Sequence, residues 1–446
     1  MEIGVELGNH SVDRLSSLPD DVLIEIISFL PLRLAIVTGS LSRRWCGLWT
    51  KVTSINIKLP DFKNFPDFMS HITSPSIYRF FVKCAVEVDD SISCSLLNFW
   101  FRQACDRNVL GASIELYFVY NLRLHDDGQI NLPNLKRLRF TRYRVDLKLL
   151  GTLIEACPSL EDLSLIDFLF MSTPERDIKV FNRNLRRLVI DTGCIEDRRF
   201  AVVINAPKLE QLVCHTVKSA IFSFEVKPSA LCEVKIDFIN HNVRLQSRDE
   251  KKVMSEFYQA ISNVSSLTLD DYVLHKVSST VFCNVTRCTL IMKKWYKIKT
   301  VPSLLKLCPL LDVLTLKVDW DRHITEERKT GKPNRKRTSR RVIKRLEIAY
   351  CTTYCKPAKS FLKLVEYLLS DLSGAIDLEH LYFRAVSPKF FTDEVRERME
   401  SNLCKLICEM ESNLCKLICE CPMASSGCKV EFEGMFHKYV SRSNQG

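Results

Sequence analysis

Nineteen cysteines and nine histidines are the side chains of this sequence best suited to act as nucleophiles, general bases or metal ligands. Their spacing argues against all three roles. Five cysteines lie close together at Cys404, Cys408, Cys415, Cys419 and Cys421, but zinc sites of this kind use C-x-x-C pairs or paired histidines, and neither pattern occurs with them. They read as buried or half-exposed thiols, with no metal and no cofactor. The histidines are scattered without a partner pattern, so each reads as a surface or satisfied core residue rather than a base. The sequence has no G-x-x-x-x-G-K-[ST], no G-x-G-x-x-G, no H-E-x-x-H and no G-x-S-x-G, and nothing marks one thiol as activated. The chemistry left to this chain is non-covalent: recognition by apolar and polar surfaces.

The elements that would carry such recognition begin with Asp13 to Val52, DRLSSLPDDVLIEIISFLPLRLAIVTGSLSRRWCGLWTKV. About forty residues cannot hide this much apolar surface by folding on themselves, so the stretch reads as a docking module. Leu18-Pro19 opens a helix, since proline fits the first helical position, and Asp20 and Asp21 place negative charge on the positive end of its dipole. Leu18, Val22, Leu23, Ile26, Ile27 and Leu30 form a wide apolar stripe, and Pro31 stops the helix. A second helical turn is predicted from Leu34 to Thr38. Beyond Gly39, Leu41, Trp45, Leu48, Trp49 and Val52 share one face of a third helix, with Arg43 and Arg44 on the other.

DRLSSLPDDVLIEIISFLP followed by LSRRWCGLW resembles the F-box, a three-helix module that clamps an SKP-class adaptor and joins a cullin-based ubiquitin ligase. The resemblance implies adaptor-facing roles for Leu15, Leu18, Pro19, Val22, Leu23, Ile26 and Leu30 at the start of the module, and for Leu41, Trp45 and Trp49 at its end.

With 446 residues, 46% of them hydrophobic and 26% charged, the chain has the composition of an ordinary folded protein with room for two or three domains. No basic start followed by an apolar run marks a secretory signal, and no stretch is apolar enough to span a bilayer. A location in the cytoplasm or nucleus is expected, where cysteines serve as small buried hydrophobes rather than disulfides.

From Ile55 to Trp320 the organising signal is a repeat. Leucine-like residues recur as L-x-x-L-x-L at Leu135-Leu138-Phe140, Leu160-Leu163-Leu165, Leu185-Leu188-Ile190, Leu209-Leu212 with Cys214, Leu231-Val234-Ile236, Val264-Leu267-Leu269, Val285-Cys288-Leu290 and Leu311-Leu314-Leu316. The first four start roughly 25 residues apart, the period of leucine-rich repeats. One strand and one return segment cannot bury their own edge, so units must stack into a curved solenoid. Ala156-Cys157-Pro158, Asn205-Ala206-Pro207 and Leu307-Cys308-Pro309 precede three of these strands, where proline ends a return helix. Spacing becomes irregular after Leu231. Upstream, Phe80 to Val88 and Ile114 to Val119 read as strands and Leu96 to Cys105 as a helix with Trp100 inward, an atypical first repeat or, alternatively, a separate α/β subdomain.

The net charge of +11 is local. Ten basic and no acidic residues lie between Arg328 and Arg345, and the remainder is close to neutral. A nucleic-acid groove would interleave aromatic residues, of which this run has none. It reads as a mobile loop, either a solvated insertion or a nuclear-import signal.

VIKRLEIAY, AKSFLKLVEYLLSDL and DLEHLYFRAV then read as strand, helix and strand, with a helical stripe at Phe361, Leu364, Val365, Leu368 and Leu369 and a further strand pattern at Leu378-Leu381-Phe383. Together with CPMASSGCKVEF they resemble the FBD module that ends many plant F-box and leucine-rich-repeat proteins, with Val430 to Phe432 as a last edge strand. MESNLCKLICE at Met399 to Glu409 is repeated from Met410 to Glu420. Eleven residues are close to three helical turns, so a helix absorbs the copy with Leu403, Ile407, Leu414 and Ile418 near one face.

The expected fold is therefore α/β: a tail over 1–12, a three-helix F-box over 13–54, a leucine-rich-repeat solenoid with a curved parallel sheet and return helices over 55–320, a basic loop over 321–341, and an FBD-like cap over 342–446. The resemblance implies a non-catalytic substrate-recognition subunit of an SCF-type ubiquitin ligase, with an SKP-class adaptor, through it a cullin, and an unidentified protein substrate as partners. Membranes and nucleic acid are not expected partners. A scaffold that has lost the adaptor is the alternative.

Overall fold

The computed structural model describes residues 14–15, 17–59, 67–84, 99–104, 106–116, 132–141, 144–145, 147–170, 177–192, 200–216, 220–238, 248–277, 280–292, 300–318, 341–351, 376–386, 412, 429–433 and 438–440. The tail over 1–12, the basic residues 328–340, the helix expected over 361–369, the duplicated segment 399–420 save residue 412, and 421–428 lie outside them. The chain divides into two units, 1–196 with 200–207, and 197–199 with 208–446.

In the first unit, Pro19 at φ −57° precedes helix α1, Asp20–Ser28, whose first turn carries Asp20 and Asp21, where carboxylates complement the dipole. Phe29 closes α1, and Pro31 opens α2, Leu32–Thr38. The third helix predicted beyond Gly39 is instead a run of turns ending in a 3-10 helix, Leu48–Lys51. Its hydrogen bonds close short rings, Trp45 N–H to Ser42 O at 3.0 Å and Leu48 N–H to Trp45 O at 3.1 Å. Gly47 in mid-segment removes helix propensity, and the tighter turns still deliver Trp45 and Leu48 to the interior.

Strand β1, Ser54–Leu59, follows at once and begins a parallel sheet. It continues through β2, Arg79–Cys84, β3, Gly111–Leu116, and β4, Arg137–Thr141, then past the short β5, Arg144–Val145, to β6, Asp162–Ile166. Beyond the short β7, Leu169–Phe170, and β8, Asp177–Phe181, comes β9, Arg187–Asp191, paired to β6. Register puts Leu138, Leu163 and Leu188 in one row and Phe140, Leu165 and Ile190 in the next, all buried. The L-x-x-L-x-L spacing dictates this, because alternate strand residues share a face. The segment upstream pairs into the same sheet: α3, Phe68–His71, and the helix α4 over 99–104 lie on its return side, where Trp100 packs tilted against Phe68, ring centroids 5.0 Å apart, and Phe101 lies 6.4 Å from Phe80.

Not every return is a helix. α5, Leu147–Glu155, ends just before Pro158 as expected, but Pro207 follows a strand, β10, Phe200–Asn205, which pairs in parallel with β8 to form a second layer. DIKVF and FAVVIN alternate apolar residues at period two and are rich in β-branched side chains, so strand wins over helix. Asn182, buried at the end of β8, ties this layer to the turn after α5. Its amide donates to Cys157 O at 2.8 Å and Ile154 O at 3.3 Å, and its oxygen accepts from Asn184 N–H at 3.0 Å. Asn182→Ala removes these three bonds and is expected to lower stability by roughly 1–3 kcal/mol, measurable as a shift in urea midpoint without change of slope.

The second unit runs from β11, Gln211–Thr216, and β12, Ala220–Phe224, to β13, Glu233–Phe238, and α6, Arg248–Ala260. Phe222 and Phe224 of β12 meet Phe257 of α6 at 5.6 and 5.3 Å. Then follow β14, Ser266–Asp270, α7, Asp271–Lys276, β15, Arg287–Met292, α8, Val301–Leu307, and β16, Val313–Val318. Buried Asp270 caps α7, accepting from Val273 N–H at 2.6 Å. The parallel ladder goes on in step through β17, Arg341–Cys351, β18, Ile376–Val386, and β19, Lys429–Glu433. One row thus reads Leu212, Val234, Leu267, Cys288, Leu314, Leu346, Leu381, Val430. Arg341, Lys344 and Arg345, counted with the basic run, stand in β17, so the expected loop bound at 341 falls inside the strand. The expected last strand at Val430 to Phe432 is not the edge: β20, Lys438–Val440, folds back antiparallel on it.

Candidate docking surface

Helix α1 is apolar on two faces rather than one. Leu23 and Ile27, four residues apart, are buried at 0% and 1% exposure beside Leu32, Ala35, Trp45, Leu48 and Val52. These seven are the module's own core. On the other face Val22, Ile26 and Phe29 stand open, Phe29 at 72%, and the 4–3 spacing sets them in line along the helix. Leu34 and Val37 on α2 and Leu41 after it, each more than half exposed, extend the apolar patch, with Leu15 ahead of α1 also exposed. A helix that is hydrophobic all round belongs in an interior. Here one side has an interior and the other faces solvent.

Three polar ties hold the module in shape. Arg44 donates from Nε to Asp20 Oδ1 at 2.8 Å and also to Leu18 O, locking the turn segment onto the start of α1. Ser28 donates to Ile24 O at 2.7 Å and accepts from Thr53 N–H at 3.2 Å, joining the end of α1 to the entry of β1. Ser74 donates to Lys51 O at 2.5 Å and Thr73 N–H to Thr50 O at 2.6 Å, fixing the module's exit. Gly39 lets α2 end against the turn segment, since a Cβ there would lie 3.1 Å from Ile36 O and 3.4 Å from Cys46 Cα.

The sequence-derived contact residues therefore sort by position. Leu15, Pro19, Val22, Ile26 and Leu41 are exposed, Leu18, Leu30 and Trp49 are half-buried, and Leu23 and Trp45 lie in the module's core. Trp49 packs near His71, ring centroids 6.1 Å apart. Phe29, Leu34 and Val37 were not among the contact residues expected from sequence, although the signal existed: α1 and α2 hold more apolar residues than a single stripe needs.

The described thiols are poor nucleophiles where they are buried. Burial pushes the Cys157 thiol from 9.0 up to about 12 and raises Cys214 further, and a hydrogen bond with Cys308 together with burial raises Cys288. The unfolded chain loses the Cys157 proton first, so this thiol lowers stability as pH climbs above 9.0 toward 12. Cys46, Cys232 and Cys283 are exposed. In native protein treated briefly with a maleimide at neutral pH, mass spectrometry is expected to find these three labelled well before Cys157, Cys214, Cys288 and Cys308.

Comparison with known proteins agrees with both parts of this architecture. Residues 15–55 match the F-box domain, and residues 111–228 match the leucine-rich repeats described as "FBD-associated F-box protein At5g56370, LRR repeats". The chain is 26% identical over 351 residues to the Arabidopsis thaliana F-box/FBD/LRR-repeat protein At5g22700, covering 68% of this chain and 78% of that one. It is 27% identical over 416 residues to F-box/LRR-repeat protein 13 of the same plant, covering 82% and 88%. The chain thus carries an F-box followed by leucine-rich repeats of the FBD-associated type, and its homologues are the F-box/FBD/LRR-repeat proteins of Arabidopsis.

Proposed function

We propose that this chain is the substrate-recognition subunit of an SCF-type ubiquitin ligase. The observation that carries this reading is the solvent-facing apolar patch of Val22, Ile26, Phe29, Leu34, Val37 and Leu41, set on helices whose opposite sides are already packed. F-box modules dock SKP-class adaptors through surfaces of this chemistry, and a patch of large apolar residues on a folded domain marks an interaction site. The adaptor-facing set in this reading is the exposed and half-buried residues, while Leu23 and Trp45 support them from within. The repeats hold a protein substrate, and ubiquitin transfer is performed by other subunits. The chain contributes proximity: substrate and ubiquitin donor meet inside one assembly instead of by bimolecular encounter.

Reconstitution with an SKP-class adaptor, a cullin and the ubiquitin-transfer enzymes tests this. Bound protein is expected to be ubiquitinated only when all parts are present. An intact chain that assembles with no adaptor would instead support a scaffold role.

A further inference from the structure

On the sheet of the first unit, the face opposite the leucine rows is unevenly charged. Across β1 to β4 the alternate strand positions of that face are occupied in register by Lys58, Arg79, Lys83, Arg137 and Arg139, with position 115 the one acidic residue type among them. Farther along the same sheet the charges are matched: Arg187 donates to Asp162 at 3.1 Å, and Asp162 accepts from Ser164. Asp162 stands beside Arg137 in register, yet the Arg137 side chain lies the other way, its Nε 3.7 Å from where a Cβ on Gly111 would be. Arg79, Arg137 and Arg139 are exposed. Among the described residues, neither an ion pair nor a side-chain hydrogen bond engages these three arginines.

We propose that this patch docks an extended acidic segment of a protein, one carrying aspartate or glutamate at alternate positions. The inference rests on the substrate-recognition reading above and names the substrate's chemistry. Arg79 and Arg137 face each other across Gly111, two strand spacings or roughly 10 Å apart, and Arg139 stands roughly 7 Å along β4. Carboxylates on alternate residues of an extended chain recur at about 7 Å, the Arg137–Arg139 step, and Arg79 stands to one side of that line. Guanidinium groups pair with carboxylates through two parallel hydrogen bonds. Gly111 carries no side chain of its own, and the Arg137 side chain lies over it, its Nε and Cβ 3.7 and 3.8 Å from where a Cβ would stand. Phe81, half-buried in the next row, and exposed Tyr78 give the segment an apolar edge.

The test uses the full chain purified with an SKP-class adaptor and a fluorescent peptide of alternating glutamate and alanine. Fluorescence anisotropy is expected to show binding that weakens as salt is raised. The same peptide with glutamine should not bind. Arg79→Glu with Arg139→Glu should weaken binding at least about tenfold, whereas Arg79→Lys with Arg139→Lys, which keeps the charge, should lose less. Three results overturn the proposal: equal binding of the glutamine peptide, unchanged affinity in the double reversal, or a single-stranded oligonucleotide that displaces the peptide and binds more tightly. Adaptor capture is scored separately on each preparation, with free chain used where capture fails. Peptide binding without adaptor capture would keep the acidic dock and sink the ligase reading. Adaptor capture without peptide binding would do the reverse.

Discussion

Val22→Asp combined with Ile26→Asp is expected to abolish capture of an SKP-class adaptor, a loss of at least about a hundredfold in affinity, while stability changes by about 1 kcal/mol or less. Both side chains are roughly two-fifths exposed, at 42% and 39%, so the folded chain keeps water around the new carboxylates. Under a partner they would be stripped of that water with no cation supplied, which is costly. The lost apolar contacts add to this, since each buried aliphatic side chain contributes about 1.5–3 kcal/mol before the costs of association. Affinity-bead capture from a co-expression lysate, read beside a urea melt of the same protein, separates the two effects. Wild-type capture by the double variant would show that the adaptor sits elsewhere.

Trp45→Ala should act through the opposite route. Trp45 is 3% exposed and lies with Leu23, Ile27 and Leu48 in the module's core, so truncation leaves a cavity worth about 3–5 kcal/mol of local stability. Hydrogen exchange in α1 and α2 is expected to speed up, and adaptor capture to fall only because the helices no longer hold their places. Trp45→Phe, which refills most of the volume, should recover both together. If Trp45→Ala lost capture while exchange in α1 stayed slow, Trp45 would be a contact residue rather than a support.

These two variants isolate what the sequence could and could not say. The F-box ahead of the repeats and the leucine rows were legible, because period-two burial in strands and a repeat near 25 residues leave few alternatives. Leu138, Leu163 and Leu188 align because their spacing requires it. Periodicity assigns residues to faces but does not say what covers a face. Leu23 and Ile26 share one apolar stripe by spacing but stand on different sides of α1 in the fold, one in the core and one in solvent. For the same reason Phe29, Leu34 and Val37 passed as unremarkable apolar residues. The third helix failed on local grounds: the apolar spacing from Leu41 to Val52 fits a helix, but Gly47 and the Arg44 tie to Asp20 favour tighter turns. The returns through β8 and β10 were missed because a leucine-rich signal fixes only the front strand of each repeat, leaving the return to local propensity.

Titration calorimetry of the purified chain with an SKP-class adaptor, repeated over a range of temperatures, tests the docking claim most directly. A stoichiometric complex whose binding enthalpy becomes more favourable on warming, the negative heat-capacity change of apolar burial, is the predicted result. A chain that stays folded with its apolar helix faces exposed and takes up no adaptor at any temperature would contradict it.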